Sequence, residues 1–504
     1  MTENADATGT DVSRRRVLQA GGTALAGLTF ASSASAHESD AERGRGADAS
    51  GRGAVDRTLI EDGIVVSVDP DIGVQYGADV LVEDGRISRI EADIEDADAD
   101  VIDASDAVVL PGFVNTHLHT WQAGVRGVAG NWTFLEYLET MLGEISAQYE
   151  PRDAYLGNLF GAVEQLNAGT TTVLDWFHIA NTPRHTDAAI DGLADAGIRA
   201  LFAHGPPGDD SATWWEDSGV THPDDIRRLH EERFPSEDGL LSLAMGIRGP
   251  DYSTDEVVTD DIELARELGI PASMHIGSLG GGGVEKLHEL GLLGDDLNYV
   301  HGNRLSAEEF ALIGDSGGSL STTPEVEMQM GMGMPALGDA IDGGAIPSVG
   351  VDIVSNVSGD MFTQNRMALQ VQRALDNQPT VERGEQIQSV SLSAHRALEL
   401  MTIEGARALG MESEIGSLTP GKRADITLIR ADDIGTAPVH DPVQTAVFQA
   451  GVANVDTVLV DGRVVKRDGD LYNATAKRRR EQLVRSGERV LRESGLLEDG
   501  RFQR

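Results

Sequence analysis

The sequence predicts an α/β fold, a closed (β/α)₈ TIM-like barrel with a small β-sandwich built from both chain ends. Three observations predict it. Between residues 109 and 351 eight short apolar strands alternate with amphipathic helices of 10–20 residues. Two remote segments, one before and one after this region, share a different pattern of short strands and tight turns. Histidines and an aspartate fall at the carboxyl ends of the predicted strands, where such barrels carry their reactive groups.

Taken in order, residues 1–36 read as an address. Ser13-Arg14-Arg15-Arg16-Val17-Leu18 precedes a weakly apolar stretch to Phe30 and the small-residue site Ala34-Ser35-Ala36. A charged region, an apolar region and a cleavage site make an export signal, and the paired arginines resemble the twin-arginine type. The apolar part is too short for a membrane span of about 20 residues, and no other window approaches one. The expectation is an exported protein, extracellular or at the cell surface, with no membrane span. Residues 37–57, polar and rich in Gly and Asp, are expected to be a flexible linker.

Residues 58–108 supply the first part of the sandwich. Ile64-Val65-Val66-Ser67-Val68 and Ala78-Asp79-Val80-Leu81-Val82 read as strands, and Glu83-Asp84-Gly85-Arg86 as a tight turn. The barrel occupies 109–410, with strands expected at 109–115, 170–175, 198–204, 241–247, 271–275, 297–301, 318–322 and 346–351. Helices are expected between them, among them Thr186–Ala196, Asp255–Leu268 and Gly359–Leu375. Residues 411–470 return to the sandwich pattern, with a strand near Ile426 and a turn at Val460-Asp461-Gly462-Arg463. Residues 471–504 form a polar C-terminal helix.

Composition narrows the function. The 504 residues include no cysteine, which removes thiol catalysis and thiolate metal sites and leaves His, Asp and Glu as ligands. The formal charge is −43, and only four of the 40 basic residues are lysine (Lys286, Lys422, Lys466, Lys477). An acidic, lysine-poor surface suits concentrated salt, where screening suppresses self-repulsion. Nucleic acid is a poor partner for such a surface. The basic run Lys477-Arg478-Arg479-Arg480 reads as the solvated face of the last helix.

Pro111-Gly112-Phe113-Val114-Asn115-Thr116-His117-Leu118-His119 carries the strongest chemical signal. Strand side chains alternate, so histidines two apart face the same side, here the barrel interior. His275 ends the fifth strand, His301 the sixth and Asp352 the eighth. Three of these four histidines together with the aspartate would give a mononuclear metal site with a position left for water. His178 and His204 follow the second and third strands and are candidates for the pocket wall.

With these motifs the chain resembles the amidohydrolase superfamily, in its chlorohydrolase, cytosine-deaminase-like and adenosine-derivative-deaminase branch. The run Leu110 to His119 carries the resemblance, as do Ile415-Gly416-Ser417-Leu418-Thr419-Pro420-Gly421-Lys422-Arg423-Ala424-Asp425 and Asp352-Ile353-Val354-Ser355-Asn356. The resemblance implies that His117, His119, His275 and Asp352 hold one divalent ion, Zn²⁺ first and Fe²⁺ second. It implies an ion that lowers the pKa of its water from about 15.7 toward 7, Asp352 as the proton carrier and His301 as the group that stabilises charge on the attacked centre. The reaction it implies is hydrolysis of a C–N bond, by deamination or opening of a cyclic amide, in a small cyclic or heteroaromatic molecule. C–Cl hydrolysis, or metal retention without turnover, are the alternatives. A homodimer is the assembly it suggests.

One position departs from the branch. Ser278 stands three residues after His275, where the family usually has a glutamate that protonates a ring nitrogen. Glu327 is the expected replacement acid, with Glu325 as a substrate contact or as an alternative acid, from the loop Thr323 to Gly331. The loop after the first strand is expected to wall the pocket with Trp121, Gln122 and Arg126; Trp121 stacks on a planar substrate or packs in the core. Trp214-Trp215, in the segment 205–221, reads as a lid. Met328, Met330, Met332 and Met334 read as an adaptable apolar lining, with at least two of them core.

Overall fold

Thr170-Thr171-Thr172-Val173-Leu174 is buried along its whole length, as a parallel strand covered on both faces must be. Seven more such strands share its sheet. In a computed structural model of the chain they are Phe113–Leu118, Thr170–Phe177, Arg199–His204, Leu241–Ile247, Ala272–Ile276, Leu297–His301, Ser319–Thr322 and Ile346–Val349, each pairing with its neighbour in chain order. The structure describes residues 57–96, 98–208, 217–236, 238–498 and 501–502. The expected export signal, the linker as far as residue 56, and Trp214-Trp215 lie outside the described residues.

The barrel closes just past the last strand. Leu118 bridges Asp352 in parallel, His119 N donates to Asp352 O (2.8 Å) and Asp352 N to His117 O (2.9 Å). The seam therefore ties the ends of the first and eighth strands through the same residues that carry the candidate ligands. Helices start and stop where local chemistry dictates. Thr254 caps Asp255–Leu268 and left-handed Gly269 ends it. The helix expected from Thr186 begins earlier, at Pro183, because proline fits the first turn.

The first strand corrects the expected span 109–115. Two strands meet there: Ala107–Pro111 pairs with Ile426–Arg430 of the other chain end, and Phe113–Leu118 opens the barrel. Gly112 is the joint, its N–H donating to Asp425 O at 2.8 Å. A Cβ at Gly112 would lie 2.2 Å from Thr171 Oγ1, so no larger residue fits the crossing.

The two chain ends build one hydrogen-bonded sheet of nine strands. Arg57–Val66 joins its halves, pairing with Val74–Glu83 on one side and with Asp100–Asp103 and Ala107–Pro111 on the other. Ile60, Val80, Val109, Leu418, Ile426 and Leu459, drawn from both ends, share one hydrophobic cluster.

The last helix, Ala474–Glu493, supports the loop that follows the first barrel strand. Ser486 donates to Asp153 and Arg489 pairs with the same carboxylate. A Cβ at Gly487 would lie 2.1 Å from Gly124 O. Gly487→Ala is therefore expected to cost about 1–3 kcal/mol of stability, whereas Gly451→Ala, with open space around its Cα, costs under about 1. Thermal unfolding of the two variants checks this.

Candidate active site

The first strand delivers His117 and His119 into the barrel mouth. Their Nε2 atoms lie 3.4 and 3.5 Å from Asp352 Oδ1. The His275 ring lies 5.0 Å from that of His117 and 5.4 Å from that of His119. The His301 ring lies 5.5 Å from that of His275. Two overlapping triads, His117–His119–Asp352 and His117–His275–His301, bring one donor atom per residue within 4.8 Å of each other.

Backbone and neighbours hold these groups in place. His301 (φ 77°) and Asp352 (φ 69°) both adopt the left-handed conformation that residues with a Cβ rarely take. Such conformations cost about 1–2 kcal/mol each and persist where surrounding structure imposes them; here the barrel seam does so at Asp352. His119 Nδ1 donates to the Trp176 carbonyl at 2.6 Å, which leaves the Nε2 lone pair facing Asp352. His301 Nδ1 lies 3.3 Å from Glu327 Oε1 and 3.1 Å from Thr323 Oγ1. Burial first, and neighbouring imidazoles second, hold His117, His119 and His275 below the usual imidazole range, His119 at about 3. Burial pushes Asp352 the other way, upward.

The donor set fits a divalent metal. Neutral imidazoles offer the lone pairs that metal binding needs. His117 is fully buried, yet neither of its ring nitrogens has a hydrogen-bond partner among the described residues. An apolar role leaves that desolvation uncompensated; a cation bound at Nε2 answers it for that nitrogen. Donor separations of 3.4–3.5 Å to Asp352 match the edge, about 3.4 Å, of a tetrahedron with 2.1 Å bonds.

Residues 108–465 match the model of the amidohydrolase family. The chain belongs to that family. A 5-methylthioadenosine/S-adenosylhomocysteine deaminase of Moorella thermoacetica is 28% identical over 390 residues, 75% of this chain and 86% of its own. A 5′-deoxyadenosine deaminase of Methanosarcina mazei is also 28% identical, over 81% of this chain and 93% of its own. The solved structure of an adenosine deaminase from Xanthomonas campestris with bound zinc superposes with a TM-score of 0.70 at 25% identity, covering 84% and 98% of the two chains. Atrazine chlorohydrolase from Arthrobacter aurescens TC1, complexed with zinc, reaches 0.74 at 22% identity, over 85% and 100%, a likeness of fold.

In this amidohydrolase a small pocket, partly open to solvent, borders the metal-ligand candidates. His119, His178, His275, His301 and Asp352 supply its polar wall. Phe134, Tyr137, Leu138, Leu142, Tyr252, Val326, Met330, Met332 and Ile353 supply the rest. No motif announced Phe134, Tyr137 or Tyr252 in the sequence. Met330 and Met332 line the pocket, and Met334 is exposed.

Several expected site residues lie elsewhere. Trp121 is fully buried behind the wall, where its indole N–H donates to His178 Nδ1 at 3.0 Å; this corrects the stacking role. Gln122 is buried too, donating to the Tyr137 hydroxyl at 2.7 Å and accepting from Ser355. Arg126 is ion-paired with Glu164 at the surface, a correction to its expected place on the pocket wall. The expected loop at 324–329 is a short helix begun by Pro324, which turns Glu325 and Glu327 to different sides. Glu325 accepts from Gln364 at 2.6 Å and lies outside the pocket, which corrects its role as a substrate contact. Glu327 is buried beside His301 and does not line the pocket, so its place is that of a partner to His301 rather than of an acid facing substrate. Ser278 is buried, and its hydroxyl has no partner among the described residues.

Asp175 anchors the chain next to His119. It accepts from Thr120 N at 3.1 Å and from Asn158 Nδ2 at 2.5 Å, and burial pushes its pKa up to about 7. The folded state thus favours the protonated form. Its contribution to stability is full below the ordinary carboxyl pKa near 4 and is lost as pH rises toward 7. Asp175→Asn removes that loss, and Asn158 can turn its unpartnered Oδ1 toward the new amide. We expect the variant to gain stability relative to wild type between pH 5.5 and 8, by at most about 4 kcal/mol. Thermal unfolding of the metal-loaded proteins at both pH values checks it.

Proposed function

We propose that this amidohydrolase hydrolyses a C–N bond of a small, cyclic or heteroaromatic molecule. His117, His119, His275 and Asp352 would hold one divalent ion, Zn²⁺ in preference to Fe²⁺. Such an ion supplies Lewis acidity and lowers the pKa of water toward neutrality. Asp352 accepts the proton released as water adds to the carbon and returns it to the leaving nitrogen as the C–N bond breaks. His301, held from behind by Glu327, faces the attacked centre with Nε2 and stabilises the charge that grows there. The phenyl, tyrosyl and methionyl walls exclude water around a flat ring.

The observation that carries this reading is a pair of triads sharing His117, His117–His119–Asp352 and His117–His275–His301, which gather four imidazoles and one carboxylate from four strand ends beside one cavity. Ser278 favours ring opening of a cyclic amide as a second reading, because a hydroxyl does not protonate a ring nitrogen near neutral pH. The test is a panel of cytosine, guanine-like purines, triazines, hydantoins and lactams given to the metal-loaded protein in molar salt. Ammonia, chloride or a ring-opened acid identifies the bond broken; no product from any member counts against hydrolysis.

The address at residues 1–36 and the charge of −43 support export by the twin-arginine route and adaptation to salt. Replacing Arg14 and Arg15 by Lys is then expected to keep the protein inside the cell, which fractionation detects. No helix among the described residues is long and apolar enough to cross a membrane.

A further inference from the structure

We propose that Tyr137, whose hydroxyl accepts from Gln122 and so keeps its own proton for the cavity, is a specificity-determining residue that donates a hydrogen bond to a ring nitrogen or carbonyl oxygen of a neutral substrate. The inference rests on the function proposed above, since it takes the same cavity as the substrate site.

The direction of the hydroxyl follows from a chain of three groups. Ser355 Oγ donates to Gln122 Oε1, and Gln122 Nε2 donates to the Tyr137 hydroxyl at 2.7 Å. Gln122 and Ser355 are both fully buried. Turned over, the amide would take the Tyr137 proton on Oε1 and offer its N–H to Ser355. The Ser355 proton would then have no acceptor among the described residues, and buried donors are rarely left so. The order Ser355 to Gln122 to Tyr137 pairs that proton. It leaves the tyrosine's own proton over, because a phenol accepts and donates at once.

Position gives that proton a use. Gln122 stands three residues after His119 and Ser355 three after Asp352, so the hydroxyl is seated on the segments that continue from two metal-ligand candidates. Tyr137 ends the short helix Phe134–Tyr137, which Thr133 caps and which Phe134 N ties to Met330 O at 3.1 Å. Tyr137 lines the cavity and Gln122 does not, so the side left to the proton is the cavity side. Burial first, and the Asp352 carboxylate second, hold the Tyr137 pKa well above the usual phenol range, which keeps the hydroxyl a neutral donor. Apart from the imidazoles, Asp352 is the only ionisable group among the described lining residues that carries charge near neutral pH. A ligand that fits such walls is an uncharged ring, and a fixed O–H rewards one that presents an acceptor. Ser278 and Glu327 do not line the cavity, so neither competes for that role.

The experiment uses the metal-loaded full chain and reads binding and hydrogen bonding, not turnover. The probes are purine, which offers ring acceptors, and indole, which offers none. Tyr137→Phe keeps the ring and removes only the hydroxyl. It is expected to weaken purine by about tenfold, which corresponds to about 1.4 kcal/mol, and to leave indole within about twofold. Infrared difference spectra with ring-labelled tyrosine are expected to show a phenol C–O stretch that rises when purine binds, as a newly donated hydrogen bond makes it, and stays in place with indole. Tyr252→Phe removes the other tyrosine of the cavity wall and is expected to keep that shift, so the test stands even if Tyr137→Phe does not fold. Purine that fails to bind, purine and indole weakened alike or both unchanged in Tyr137→Phe, or a stretch that purine does not move each overturns the inference. A preference that depends on Tyr137 together with no product from the substrate panel would sink the proposed function and leave this inference standing. Product from the panel with a preference untouched by Tyr137→Phe would do the reverse.

Discussion

Asp352→Asn is expected to lower kcat by at least about a thousandfold with zinc held saturating. Two losses combine. Asp352 Oδ1 stands 3.4 and 3.5 Å from the Nε2 atoms of His117 and His119, so the change weakens the donor set. An amide also cannot take a proton from water and pass it to nitrogen, a role that typically contributes 10²–10⁴-fold. The fold is expected to survive, because the seam hydrogen bonds at this residue use its backbone. Metal content measured beside kcat separates the losses: a variant that still binds zinc and stays within tenfold of wild type would contradict the proton-carrier role.

Glu327→Ala is expected to lower kcat by about 10²-fold with KM little changed. The carboxylate accepts from Thr323 N at 2.7 Å and lies 3.3 Å from His301 Nδ1. Without it, the imidazole loses the partner that selects which nitrogen faces the cavity. Glu327→Gln keeps an oxygen acceptor and is expected to recover most of the rate, so the pair reads orientation rather than packing. Glu325→Gln, two residues away, is expected to stay within about twofold. A loss in KM alone, or no difference between the Ala and Gln variants, would contradict the positioning role.

The barrel and its ligands were legible because both depend on local periodicity. His117 and His119 share a face through strand alternation, and His275, His301 and Asp352 each close an apolar run. What stayed hidden depends on contacts remote in sequence. Gly112 divides two strands that are both buried on both faces, so hydrophobicity runs through it without a break. Trp121 meets His178 57 residues away, and no pattern near either signals the pair. Glu325 and Glu327 look alike in a loop; a proline-started helix separates them. Arg126 meets Glu164 across 38 residues, which turned an expected pocket residue into a surface ion pair.

The central claim is that one cation sits among His117, His119, His275 and Asp352. X-ray absorption at the zinc edge, with metal content per chain, tests it most directly. The expected result is one zinc per chain with nitrogen and oxygen neighbours at about 2.0–2.2 Å, lost when His117 and His275 are both changed to Ala. Wild type that retains no stoichiometric zinc after loading, or a double variant that holds it unchanged, would contradict the account.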